Sequence, residues 1–143
     1  MQVFKPLTQD HATIVGWGAS VVLVTEADKA GPTSARLSGL GAQVHVQPQL
    51  YDALSVLIDD PRDADMLVID CDAYGGLEMG RRAFAILAEA GLRLPVILIS
   101  QDCGEQSFPN GREAPFVLRA PVSAVALRVA FESAFYGRKQ RTS

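Results

Sequence analysis

Three short runs of the chain are wholly apolar and rich in β-branched or long aliphatic residues: Val21-Val22-Leu23-Val24, Met66-Leu67-Val68-Ile69 and Val96-Ile97-Leu98-Ile99. Runs this short do not span a membrane, which takes ~18 residues. A strand with one wet face alternates polar and apolar residues; a strand with none is buried on both faces, as in a parallel sheet covered by helices. Helical periodicity fills the gaps. The segment from Gly31-Pro32 to about Leu40 has proline in its first turn and Gly41 at its end. Leu50 to Ile58 places Leu50, Ala53, Leu54, Leu57 and Ile58 on one face. Leu77 to Ala90 points Leu77, Phe84, Leu87 and Ala88 inward.

Two further strands complete the pattern. Gln43-Val44-His45-Val46 alternates, as a strand nearer the sheet edge does, and Phe116-Val117-Leu118 is the last. Ser123 can cap a final helix in which Leu127, Ala130, Phe131, Ala134 and Phe135 recur at i, i+3, i+4, i+7 and i+8. Between Gln101 and Pro115 lie Gly104, Pro109, Asn110 and Gly111 without apolar periodicity, so this segment reads as loop. The fold class is therefore α/β: a five-stranded parallel, doubly wound sheet of flavodoxin-like order 2-1-3-4-5. Helices lie on both faces, and the fourth crossover helix is reduced or replaced by loop.

Length and composition agree with this. The 143 residues fit one domain, and 48% hydrophobic with 20% charged residues is an ordinary globular balance. Residues 1–19 read as an N-terminal arm, 20–137 as the domain and 138–143 as a basic tail. A net charge of -3 argues against a nucleic-acid partner. Two cysteines make neither a disulfide framework nor a zinc site, and no signal-peptide or membrane-spanning pattern is present, so the expected location is the cytoplasm. No glycine-rich phosphate loop follows the first strand, and His11 and His45 fall away from the strand ends.

In open α/β sheets, sites form beyond the carboxyl ends of the strands. Those ends carry Thr25-Glu26 with Asp28 nearby, Asp70 and Asp72, Ser100, and Arg119-Ala120-Pro121. Glu26 and Asp70 belong to strands adjacent in the expected order. Two carboxylates in a crevice repel each other, and a divalent cation relieves that repulsion; Mg²⁺ suits a few carboxylates plus phosphate oxygens.

From Ser20 to Tyr136 the chain resembles the receiver domain of bacterial two-component response regulators. The resemblance rests on Val21-Val22-Leu23-Val24-Thr25-Glu26 and on Asp65-Met66-Leu67-Val68-Ile69-Asp70 with the Gly75-Gly76-Leu77-Glu78 turn. It rests further on Pro95-Val96-Ile97-Leu98-Ile99-Ser100 and on Ala120-Pro121-Val122-Ser123. It implies that Asp70 is the phosphoacceptor, Ser100 the hydroxyl that contacts the phosphoryl group, and Glu26, Asp70 and the Asp72 backbone carbonyl the ligands of Mg²⁺. Thr25 stands where the first acid of the family's pair usually is. Ala120 stands where the family has a lysine, with Arg119 as the candidate substitute, and Tyr74 stands near the place of the family's proline.

The resemblance implies a stand-alone, non-enzymatic phosphorelay receiver, served by a histidine kinase or phosphotransfer protein and acting on a downstream protein partner, with a homodimer as a further candidate. Two alternatives stand beside it: a phosphorylation-independent pseudo-receiver that binds protein, favoured by the missing lysine, and a small enzyme or cofactor-binding protein on the same fold. The last helix, with Arg128, Glu132 and Tyr136, is the expected partner surface, together with the arm.

Overall fold

The computed structural model describes residues 18–142, with side chains described from 18 to 135. The arm expected at 1–19, His11 and the side chain of Tyr136 thus lie almost wholly outside the described residues. The elements run β1 (Ser20–Val24), a 3₁₀ turn (Ala27–Lys29), α1 (Gly31–Gly39), β2 (Gln43–Gln47) and α2 (Leu50–Asp59). They continue with β3 (Met66–Asp70), a second 3₁₀ turn (Cys71–Tyr74), α3 (Leu77–Glu89), β4 (Val96–Ser100), β5 (Phe116–Arg119) and α4 (Ala124–Thr142). All five strands are parallel in the order β2-β1-β3-β4-β5. The three apolar runs are the three inner strands, and the alternating run β2 is an edge. The last helix runs on through Thr142, across the expected start of the tail at 138.

Alternate strand residues feed two cores, because successive side chains leave a strand on opposite faces. Val21, Leu23, Met66, Val68, Ile97, Ile99 and Leu118 pack beneath α1 and α4, against Leu37, Leu127, Ala130 and Phe131. Val24, Leu67, Ile69, Val96 and Leu98 pack beneath α2 and α3, against Leu50, Ala53, Leu54, Leu57, Ala83 and Leu87. Ser123 Oγ accepts the Ala126 N–H at 3.0 Å, which caps α4 as its position before the apolar stripe predicts.

One inward residue is corrected. Ala88 is exposed, and Gly80 and Ala83 are buried in its place. The buried stripe of α3 runs through 80, 83 and 87, and residue 88 is a further 100° around the helix. Gly80 allows this stripe to sit close to the sheet: a Cβ there would press on Cys71 Sγ and lie 3.2 Å from Leu98 Cδ2.

No helix links β4 to β5. Pro109, Gly111 and Pro115 remove donors and stiffness from this segment. Instead it lies along the sheet edge: Ser107 and Val117 exchange two backbone hydrogen bonds of 2.9 and 3.0 Å, and Phe108 stands edge-on to Phe116. A free edge strand invites pairing with another chain, so a short covering bridge of this kind protects β5.

Both cysteines are free and buried. Burial pushes the Cys71 thiol up from an ordinary 9.0 to about 12, ahead of smaller effects from its neighbours. The native protein is therefore expected to show no reaction with Ellman's reagent at mildly alkaline pH, and two thiols after denaturation. The unfolded thiol ionises first as pH rises, so the Cys71 contribution to stability declines between pH 9.0 and about 12. Rapid labelling of Cys71 in the folded state contradicts this packing.

Candidate functional site

The sheet register assembles the site. Val24 pairs with Ile69, so the next residues, Thr25 just past β1 and Asp70 at the end of β3, come side by side. Asp70 in turn pairs with Ile99, and Ser100 with Arg119. Thr25 is buried and donates its hydroxyl to Asp70 Oδ2 at 3.0 Å; Asp70 itself is half-buried. Both line a cleft of about 300 Å³, closed by Lys29 and Thr33 on one side and by Ala120, Pro121 and Val122 on the other. Arg36 ties these walls together, donating from Nη1 to the Val122 carbonyl at 2.6 Å.

Ser100 is fully buried, and its hydroxyl donates to Asp72 Oδ1 at 2.7 Å. The other Asp72 oxygen accepts the Gln101 N–H at 2.8 Å. Asp102 extends the cluster. Its own N–H donates to Ser100 Oγ at 3.0 Å, and its carboxylate accepts the Leu77 N–H at the start of α3 at 3.4 Å. A carboxylate at a helix start favours the exposed N–H groups there. Tyr74 locks the neighbouring loop, donating its hydroxyl to the Pro48 carbonyl at 2.6 Å. Its phenol pKa is raised, by desolvation first and then by Glu26 and Asp70.

Of the expected site residues, Asp70 stands at the centre. Ser100 is adjacent but engaged by the side chain of Asp72, a residue read only for its backbone carbonyl. Glu26 is half-exposed and ion-paired with Lys29, Oε1 to Nζ 2.9 Å. Arg119, the candidate substitute for the missing lysine, is engaged away from Asp70. Its guanidinium donates to the carbonyls of Cys103 and Gly104, and its backbone N–H to Gln106 Oε1. The cause is the strand alternation: residue 120 faces the cleft wall, so residue 119 turns to the covering segment.

Two contributors were not foreseen, Lys29 and Asp102. Lys29 lies one 3₁₀ turn past Glu26, a spacing that faces the two side chains. Nothing in the order of residues joins Asp102 to Leu77.

The residues expected to hold Mg²⁺ offer two side-chain carboxylates, Glu26 paired with Lys29 and Asp70 bonded by Thr25, together with the Asp72 backbone carbonyl; such a set would suit an ion that keeps several of its waters. Among the described residues no three His, Cys, Asp or Glu side chains converge into a metal-holding group. None of the described helices is long and apolar enough to cross a membrane.

No protein-family model matches the chain, and no curated protein matches it. Solved structures do match. The signal receiver domain of a modulated diguanylate cyclase from Desulfovibrio desulfuricans is 26% identical, with 87% of this chain and 98% of that one aligned at a TM-score of 0.60. A response regulator receiver domain from Francisella is 21% identical over 88% of this chain and all of that one, with a TM-score of 0.65. The receiver domain of a sensor histidine kinase from Pseudomonas aeruginosa is 21% identical over 83% of this chain and 98% of that one, TM-score 0.61; it holds magnesium in its active-site cleft. The fold of this chain is that of response regulator receiver domains.

Proposed function

We propose that this receiver-fold domain is a signalling module that works by binding a protein partner, with its strand-end site set without a phosphoryl group. One observation carries the reading. The donors that would meet an incoming oxyanion, the Ser100 hydroxyl and the Gln101 N–H, are both satisfied by the Asp72 carboxylate. An incoming oxyanion has to displace the Asp72 carboxylate to reach these donors, exchanging bonds already made for its own. Ala120 supplies no charge where an ammonium would meet a phosphoryl oxygen. Signalling then rests on surfaces and their populations rather than on group transfer. We place the module in the cytoplasm, with the outer face of α4 as its partner surface; there Val125 and Val129 are exposed beside the Arg128–Glu132 ion pair.

A second reading keeps Asp70 as a phosphoacceptor served by a histidine kinase or phosphotransfer protein. Its support is the half-buried Asp70 carboxylate at the mouth of the cleft.

Intact-mass measurement after incubation with acetyl phosphate, with and without Mg²⁺, decides between the two. The expected result is no phosphoryl adduct. An adduct on the wild type that Asp70→Asn lacks would establish the second reading and end the first.

A further inference from the structure

The two edges of the sheet are finished differently. β5 is covered by the bridge through Ser107, whereas β2 has β1 on one side and, among the described residues, no strand on the other. Proteins blunt a free edge with lysine, an inward charge or a bulge. β2 has none of these. It pairs with β1 in unbroken register, and none of residues 42–49 is Lys, Arg, Asp or Glu. Its sequence, Gln43-Val44-His45-Val46-Gln47, reads the same in both directions.

The backbone fixes which groups point outward. The Gln43 N–H donates to the Ala19 carbonyl at 2.7 Å, so Gln43 faces β1. In a parallel ladder, successive residues direct their N–H and C=O groups to opposite sides. His45 and Gln47 therefore face β1 as well, and Val44 and Val46 present theirs to the outer side. The outward donors stop there: the Ala42 N–H is taken by the Leu37 carbonyl at 3.2 Å, and Pro48 has no N–H.

We propose that β2 is a self-recognition edge, on which a second copy of this chain pairs antiparallel about a two-fold axis at His45. In that register Val44 of one copy and Val46 of the other exchange both of their hydrogen bonds, and His45 stands opposite its own counterpart in a non-hydrogen-bonded pair. Moving the axis to Val44 sets Val46 against Ala42, whose donor is engaged; moving it to Val46 sets Val44 against Pro48, which has none. The side chains agree with the backbone. Val44 and Val46 lie on the α1 face, opposite Val21 and Leu23 of β1; Val44 packs on that core and Val46 is exposed. Pairing brings each valine beside the other copy's, a favourable β-branched pair. His45, on the opposite face, is exposed too, so the edge is open to approach from both faces. The palindrome favours a second copy over an unrelated strand, because whatever suits one half of the strand suits the other and no like charges are opposed. The inference goes beyond the function proposed above and stands whichever reading of Asp70 holds.

Sedimentation velocity on the full chain tests it. A five-residue ladder makes a small interface, so a concentration-dependent dimer is expected between roughly 10 µM and 1 mM. Val46→Pro removes an outward N–H while sparing the ladder to β1, and is expected to abolish the dimer. His45→Lys changes only an exposed side chain, which guards against misfolding; it sets like charges directly opposite and is expected to weaken the dimer by about two- to fivefold.

Cross-linking reads the register. A non-hydrogen-bonded pair holds its Cα atoms about 4.5 Å apart, within reach of a disulfide. Mild oxidation is expected to link His45→Cys into a covalent dimer and to leave Gln43→Cys, which lies opposite residue 47, as monomer. The native cysteines are buried and do not compete. A wild type that stays monomeric to 1 mM, roughly the weak limit for such an interface, overturns the inference. So does a dimer that Val46→Pro and His45→Lys both leave unchanged, which would place the contact on residues 1–17 or on α4. Equal cross-linking of Gln43→Cys and His45→Cys overturns it as well.

Discussion

Replacing Phe131 by alanine is expected to destabilise the domain by about 3–5 kcal/mol, the range for truncating a fully buried aromatic side chain. Phe131 is among the largest fully buried side chains and stacks on Phe135, with ring centroids 6.3 Å apart. It is the main anchor of α4 on the sheet, in one core with Val21, Leu23, Met66 and Leu118. Its removal leaves a cavity between two stiff layers, a strand bed and a helix, which collapse onto it poorly. For a chain of 143 residues the melting temperature should fall by on the order of 10 °C. Urea and thermal unfolding measure this. A loss under about 1.5 kcal/mol, as for a tolerated core swap, would mean that α4 is not held on the sheet by this contact.

Gly76→Ala is the second large effect, with an expected cost of about 2–4 kcal/mol combining backbone strain and overpacking. Gly76 has φ 96° and ψ -173°, a conformation almost confined to glycine. An added Cβ would also lie 2.6 Å from Asp102 Oδ2, the atom that accepts the Leu77 N–H. The damage therefore reaches the site: as Asp102 is pushed away, its N–H loosens from Ser100 Oγ. Gly75→Asn is the control. Gly75 has φ 112° and ψ 7°, closer to the left-handed region that asparagine tolerates, and its nearest neighbour is Met79 Cβ at 3.7 Å. Unfolding free energies for both variants, measured by urea, should separate by about 1 kcal/mol or more, in the direction of greater damage at Gly76.

These two positions show how differently the chain discloses itself. Phe131 was legible from spacing alone, because a helix places i, i+3 and i+4 on one face whatever it packs against. The same holds for Leu50, Ala53, Leu54 and Leu57 on α2. The three apolar runs marked the inner strands, since only a doubly covered strand has no polar side. Ala88 misled because one extra apolar residue beside a stripe does not widen the buried face. Gly76 was legible as a turn but not as a position beside Asp102, a residue 26 places along the chain.

The placing of Asp70, Glu26 and Ser100 at the strand ends was legible because strand ends follow from strands, and in a parallel sheet all strand ends lie on one edge. What each end does to its neighbour was not legible. Thr25 bonds Asp70, Asp72 bonds Ser100, and Arg119 turns to Cys103 and Gly104. Each choice depends on side-chain rotamers in crowded space and on competition among several nearby partners.

Local patterning alone thus determined the element order, the inner strands, the stripe of the last helix and the edge on which a site must sit. All of these follow from periodicities of two and 3.6 residues, which are properties of the backbone. Only the tertiary structure decided the state of the site around Asp70. Register brought Thr25 to Asp70, a 3₁₀ turn brought Lys29 to Glu26, and the covering segment drew Arg119 away. Short-range electrostatics and hydrogen bonding set such pairings within a few ångströms, a distance that spacing along a chain does not resolve.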